Sequence, residues 1–251
     1  MPNWVYNGLT IEGNPDEVNK LIAQVGKSFT MPIENRNMGD VHPNGYPTKY
    51  QEQTYTNPIF AFWNIISPYD QGITAEEYAK QPARTGLDIN DPNFWVENEK
   101  LRLVDKSWYS WNITNWGVKW DIAVADDDKY PDTYTEGPTQ NGENLVVFYN
   151  FNTPWGIADE AITKLSSQYP TLLMTLHYEE ETGWGGEREY LKGYCISYHE
   201  YGWQCRNCGH EEVDTPYCET CDYDMCPKCG WGEPMDQDRA ECEEHREKTN
   251  A

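Results

Sequence analysis

The sequence predicts an α+β body, one antiparallel sheet with two helices on one face, followed by a small cysteine-rich tail. Three observations lead there. Apolar residues recur with a period of two in several segments and with a helical period in two others. Strand–helix–strand units occur twice, and seven of the eight cysteines fall within residues 205–242.

Val5, Leu9 and Ile11 alternate with Tyr6, Thr10 and Glu12, the pattern of a half-buried strand. Asn14-Pro15-Asp16-Glu17 then starts a helix: Asn14 caps it, Pro15 suits the first position, and Glu17 closes a capping box. Val18, Leu21, Ile22 and Val25 form its inner face, and Gly26 ends it. Val118, Trp120, Ile122 and Val124 predict another strand. Leu145–Phe151 is apolar on both faces, as in a central strand, and Thr153-Pro154 starts a helix with Ile157, Ala161 and Leu165 inside. Tyr169-Pro170 stops that helix, and Leu172, Met174, Leu176 and Tyr178 resume the period of two. Tyr190, Tyr194, Ile196 and Tyr198 predict a last strand. The repeated unit fits a ferredoxin-like sandwich. Residues 27–57 and 125–144 read as long polar loops.

The 251 residues suit one large domain or two smaller ones, and the cysteine distribution places a boundary near Tyr201-Gly202, giving a body at 1–200 and a tail at 201–251. The 42 acidic and 19 basic side chains give a net charge of -23, which argues against direct binding of nucleic-acid phosphates. Aromatic residues, at 14%, are too many for a disordered acidic chain. The longest largely apolar run, Ile59–Ile66, is broken by Asn64 and falls far short of the roughly 20 residues of a membrane span. Met1-Pro2-Asn3-Trp4 has neither the basic nor the apolar region of a secretory signal, so a cytoplasmic location is expected.

Several motifs carry a family likeness. Met1-Pro2-Asn3-Trp4 with Asn7, Leu9 and Gly13, then Asn115-Trp116-Gly117-Val118-Lys119-Trp120-Asp121, come first. Phe151-Asn152-Thr153-Pro154-Trp155, Tyr169-Pro170 and Tyr178-Glu179-Glu180 follow in the same order. Over about residues 1–196 the chain resembles the YubB-type ferredoxin-like proteins carried by phages and plasmids. The resemblance implies a ferredoxin-like fold and a mobile-element origin, and it carries over no catalytic residue. Within the body, His177 lies on the opposite strand face from Leu176. Cys195 and His199 share a strand face but lie roughly 13 Å apart along it, too far for a nucleophile–base pair, so Cys195 reads as a small buried hydrophobe. Asp126-Asp127-Asp128 and Glu179-Glu180-Glu181 read as solvated acidic faces, since nothing gathers their carboxylates around one cation.

The tail carries Cys205-x2-Cys208, nine residues, Cys218-x2-Cys221, four residues, Cys226-x2-Cys229, twelve residues, and Cys242-x2-His245. Thiolates two residues apart grip one metal from a turn, and two such pairs complete a tetrahedron. Eight ligands therefore predict two structural zinc ions, one with four cysteines and one with three cysteines and His245. A tail with so few apolar groups needs such a staple, which contributes on the order of 10–16 kcal/mol in finger peptides. The stretch from Tyr217 to Cys229 resembles the heart of a ZZ-type zinc finger. That likeness implies a cross-braced pairing and a peptide-binding role for Asp222 and Asp224; sequential pairing of the ligands stays open beside it.

Three functional classes follow. The first is a non-enzymatic accessory protein of a phage or mobile element, binding a host or phage protein through the zinc module and an aromatic-rich acidic surface. The 11 Trp and 18 Tyr residues favour it, because such side chains anchor interfaces. The second is an acidic decoy that occupies the nucleic-acid site of a host enzyme. The third is an enzyme whose site lies in the body, with zinc purely structural.

Overall fold

The computed structural model describes residues 3–34, 50–125 and 133–204, together with the strand segments 211–212, 217–218, 223–225 and 232–234. In chain order the body runs β1 (Trp4–Gly13), α1 (Pro15–Val25), β2 (Phe29–Glu34), β3 (Tyr50–Tyr55), α2 (Ala75–Tyr78), α3 (Phe94–Val104), α4 (Trp108–Trp116) and α5 (Ile122–Ala125). It continues with β4 (Tyr134–Asn141), β5 (Asn144–Pro154), α6 (Asp159–Gln168), β6 (Leu173–Glu180), β7 (Gly185–Leu191) and β8 (Tyr194–Tyr201). The main sheet has the order β4-β5-β1-β6-β7-β8, and every neighbouring pair is antiparallel.

The path β1–α1–β4–β5–α6–β6, with β1 between β5 and β6, is the double split unit of a ferredoxin-like domain. Two additions surround it. The β7–β8 hairpin widens the sheet beyond β6, and an insertion between α1 and β4 holds the β2–β3 hairpin and helices α2–α5. The segments 27–57 and 125–144 are accordingly not all loop: β2, β3 and β4 lie within them. Polar side chains hid β4, an edge strand exposed along its whole length, whereas β2 alternates Phe29, Met31 and Ile33 and buries the first two.

Alternation fixes the sheet's two faces. Val5, Leu9 and Ile11 of β1, Val147, Tyr149 and Phe151 of β5, and Met174, Leu176 and Tyr178 of β6 are buried under the helices. Val18, Leu21 and Val25 of α1 and Ala161, Ile162 and Leu165 of α6 meet them. The Asn14 side chain caps α1 by accepting from the Asp16 amide at 2.9 Å. Glu17 does not close a capping box; its carboxylate accepts from the Thr171 hydroxyl instead.

Three sequence expectations shift. The segment 118–124 is not a strand. Gly117 caps α4 in the left-handed conformation at φ 83°, and the Asp121 carboxylate accepts from the Ala123 amide at 3.1 Å, which starts the short helix α5. The helix expected at Thr153-Pro154 begins only at Asp159, because both residues still belong to β5, with Trp4 opposite Pro154. The single strand expected over 190–198 is split by a turn at Lys192-Gly193, both with positive φ (56° and 79°), which makes the β7–β8 hairpin.

The insertion adds aromatic rings to the same core. Phe60 stacks on Phe151 at 5.5 Å and meets Tyr149 edge-on at 4.9 Å, while Trp116 lies 5.3 Å from Trp111 and 6.0 Å from Phe62. Asp121, 1% exposed, ties the layers together, because its other oxygen accepts from the Trp63 amide at 2.6 Å. On the far side, Arg188 of β7 holds the hairpin down. Its guanidinium lies 3.0 Å from Asp159 at the start of α6 and 2.5 Å from Glu200 of β8. Tyr178 and Tyr190 donate to the same two carboxylates at 2.7 and 2.6 Å. Burial works against the Arg188 charge, but its bonds to Glu200, Tyr178 and Asp159 outweigh that and raise its pKa. The same bonds from Arg188, then Tyr178, hold Glu200 below its usual range.

Asp121→Ala strands two buried amide donors and is expected to lower stability by about 2–4 kcal/mol, read from denaturant unfolding. The Glu200 tie has a defined pH range. Because its folded pKa lies below the unfolded value, its contribution is intact above about 4.5 and is lost as pH falls through the folded value. Protection of the β8 amides, taken relative to intrinsic exchange at each pH, should therefore hold from neutral pH down to that point and fall below it. Arg188→Ala should lower it at neutral pH, and equal protection in wild type and variant would show that the tie does not hold β8.

Candidate functional site

Helices α1 and α6 cover one face of the sheet, and the opposite face is exposed. The register sets Asn150, Gly8, His177, Glu187 and His199 in one row across β5, β1, β6, β7 and β8. A second row, two residues along, holds Asn152, Tyr6, Glu179, Gly185 and Tyr201. Gly8 matters by its lack of a side chain, since a Cβ there would press on the Phe148 ring at 3.0 Å. The two rows enclose a shallow depression of about 640 Å³. His177, with its side chain 61% exposed, places Nε2 2.9 Å from Glu187 Oε2. Glu12, Glu136, Glu179, Glu187 and Glu189 lie on this face by register. Among the described residues no Lys or Arg of the six strands does so, because Arg188 points to the helix side. Tyr6, Tyr134 and Phe148 add rings, with Tyr134 6.2 Å from Phe148. Such a surface offers acceptors and aromatic planes to a cationic partner.

The sequence-predicted residues fall unevenly on this geometry. His177 takes the outward position expected of it. Cys195 does not: it is exposed rather than buried, because β8 is an edge strand. Nor does it share a face with His199. A bulge between Glu189 and Tyr190 shifts the register, so Cys195 pairs with the core residue Tyr190 and His199 with Glu187 on the open face. The absence of a Cys–His pair follows from this reversal as well as from distance. Glu179-Glu180-Glu181 is not one solvated face, since Glu180 is 3% exposed and accepts from the Thr182 amide at 2.6 Å. Cys205, Cys208, Cys221, Cys226, Cys229, Cys242, His245 and Asp222 lie outside the described residues, as do Asp126, Asp127 and Asp128; Cys218 and Asp224 are described only as strand backbone. Among the described residues no group of three or more His, Cys, Asp or Glu is placed to hold a metal ion. No described helix is long and apolar enough to cross a membrane.

One feature escaped the sequence entirely. Past the Gly117 cap, the Lys119 ammonium sits among four rings: 4.6 Å from Trp120, 4.9 Å from Trp155, 5.7 Å from Trp108 and 5.9 Å from Tyr109. Burial lowers its pKa, since the rings displace water without supplying a carboxylate. Trp155 reaches this position through a left-handed backbone, φ 62°, held by its amide donating to Asn3 O at 2.9 Å. The signal in the sequence was only the density of Trp near residues 108–120 and at 155, which periodicity cannot convert into a shared site.

A family model agrees with the ferredoxin-like part of the fold. Residues 119–219 match the family model described as "Ferredoxin-like domain in Api92-like protein", a segment of less than half the chain. The crystal structure of protein api92 from Yersinia pseudotuberculosis aligns with 82% of this chain and 100% of its own, at 11% sequence identity and a TM-score of 0.39. A search of curated proteins gives no match. The chain thus carries a segment, from Lys119 into the tail, similar to the ferredoxin-like domain of Api92-like proteins.

Proposed function

We propose that the chain is a non-enzymatic accessory protein of a phage or other mobile element, acting in the cytosol by binding a protein. The surface that binds is the open sheet face, and its partner presents a Lys- and Arg-rich segment. One observation carries this reading: the exposed strands of that face display five glutamates and several aromatic rings, and none of their described residues brings a Lys or Arg to it. Carboxylates accept charge-assisted hydrogen bonds from ammonium and guanidinium groups, and tyrosine faces add cation–π attraction. The same charge repels phosphate, so a nucleic acid is disfavoured on that face. The resemblance to YubB-type proteins supplies the mobile-element setting.

The second part of the proposal is a tail with two structural zinc ions, held by Cys205, Cys208, Cys218, Cys221, Cys226, Cys229, Cys242 and His245. The strand backbone supports it. Trp203–Gln204 pairs with Glu211–Glu212, Tyr217–Cys218 with Tyr223–Met225, and the latter with Gly232–Pro234. Cys205 and Cys208 lie between the first two segments and Cys226 and Cys229 between the last two, while Cys218 ends its own strand and Cys221 follows it. Pairs of cysteines at successive hairpins are the arrangement zinc knuckles use. With only four residues between them, the second and third pairs serve different ions in this reading, whether as a cross-brace or in sequence. Asp222 and Asp224 would then lie between two metal centres as a further acidic docking point.

Two measurements test these statements separately. Protein purified without added metal should contain two equivalents of zinc by elemental analysis; one equivalent, or iron, overturns the zinc assignment. Glu179→Lys with Glu187→Lys should weaken binding of an Arg/Lys-rich peptide by about tenfold or more at physiological salt. Unchanged affinity, with the zinc content intact, removes the sheet face as the docking surface.

A further inference from the structure

A cavity of about 280 Å³ opens beside the Lys119 ring cluster, between the β2 strand of the insertion and helices α2, α4 and α5. Its walls are apolar where Met31, Ile33, Ala79 and Val124 meet. Its acceptors are already engaged. Tyr78 donates to Asn112 Oδ1 at 2.8 Å, and Asp121 takes the amides of Trp63 and Ala123. The donors are not. The Trp108 indole N–H is buried and has no acceptor, and the Lys119 ammonium has aromatic rings around it but no carboxylate. Both residues line the cavity, and the ammonium lies 5.7 Å from the Trp108 ring centre, so the two side chains are neighbours on its wall.

A buried donor without an acceptor calls for an explanation, and here Trp108 Nε1 is one, beside a hollow that a part-buried ammonium also lines. A site with neighbouring donors on its wall and hydrocarbon beside them fits an anion with an apolar body. A cation is disfavoured, because Lys119 already occupies the ring cluster. Size limits the ligand further: at roughly 30 Å³ per water-sized group, the cavity holds on the order of nine non-hydrogen atoms.

We propose that this cavity binds a small monocarboxylate with an apolar body, its carboxylate accepting hydrogen bonds from Lys119 Nζ and Trp108 Nε1. The site is separate from the open sheet face and does not rest on the protein-binding reading. It gives the insertion a role of its own, since β2, α2, α4 and α5 supply the walls and the ferredoxin-like core supplies only Trp155, which holds Lys119 in place.

The full chain can be tested with benzoate and hexanoate as probes, using calorimetry and saturation-transfer NMR. Wild type should bind both saturably and bind benzyl alcohol about tenfold less well, a comparison that needs no variant. Lys119→Met, which keeps the stem's packing and removes the charge, should weaken benzoate about tenfold or more. Trp108→Phe should weaken it by a smaller factor, and Lys119→Arg should retain it. The proposal is overturned if wild type shows no saturable binding of either acid, if benzyl alcohol binds as well as benzoate, or if a folded Lys119→Met variant binds benzoate unchanged. Preference for benzyltrimethylammonium over benzoate also overturns it, since the rings would then be taking a cation in place of Lys119.

Discussion

The whole arrangement depends on β1 being paired on both sides. It meets β5 from Trp4–Pro154 to Gly13–Leu145 and β6 from Val5–Glu180 to Glu12–Leu173. With no free edge, its register cannot slip, and a strand's strict alternation then assigns every residue to one face. Val5, Leu9 and Ile11 go under the helices and are fully buried; Tyr6, Gly8 and Thr10 go to the open side. A shift of one residue would put Tyr6 in the core and Leu9 in water. The acidic rows on the open face therefore exist because the opposite face of the same strands is apolar. Asn7 is the exception on the buried side, and its amide is spent on Val5 O, Phe151 O and Thr153 Oγ1, which fastens the end of β1 to β5.

The insertion uses the aromatic residues differently from what their number implied. Trp63, Trp111, Trp116 and Tyr78 pack into one edge-to-face cluster continuous with Phe60, Phe151 and Tyr149. Much of the apparent surplus is thus ordinary core, made necessary because helices as short as α2 and α5 bury little area unless each side chain is large. What remains exposed is spread over both parts: Tyr6 and Tyr134 on the sheet's open face, Tyr194 and Tyr198 on the edge strand β8, and Tyr50, Tyr69, Trp95 and Tyr109 in the insertion.

Charge is divided in the same way. The open face presents carboxylates to solvent, where a partner's cations can reach them. The cavity by α4 has its carboxylate consumed by backbone amides and leaves donors instead. In the cavity wall Asp121 accepts from two backbone amides, while the Lys119 ammonium has rings around it and no carboxylate.

Much of the sandwich was legible in the sequence, because its strands and helices are amphipathic and amphipathicity is a local property. Val5-Leu9-Ile11, Val18-Leu21-Val25 and Met174-Leu176-Tyr178 each announce a face without reference to any other segment. Spacing likewise marked the four Cys and His pairs of the tail on which the zinc proposal rests. Tertiary structure decided what local pattern cannot express. Residues 118–124 alternate like a strand, yet the Gly117 cap and the Asp121 side chain turn them into a bend and a helical turn. The bulge at Glu189–Tyr190 reverses Cys195 relative to His199, and β4 forms from polar residues because β5 offers it an edge. The row from Asn150 to His199 joins residues that lie far apart in the chain, and the Lys119 ring cluster joins Trp108, Trp120 and Trp155 from three separate segments. Periodicity reports which way a side chain points; only the packed sheet and its insertion decide what it points at.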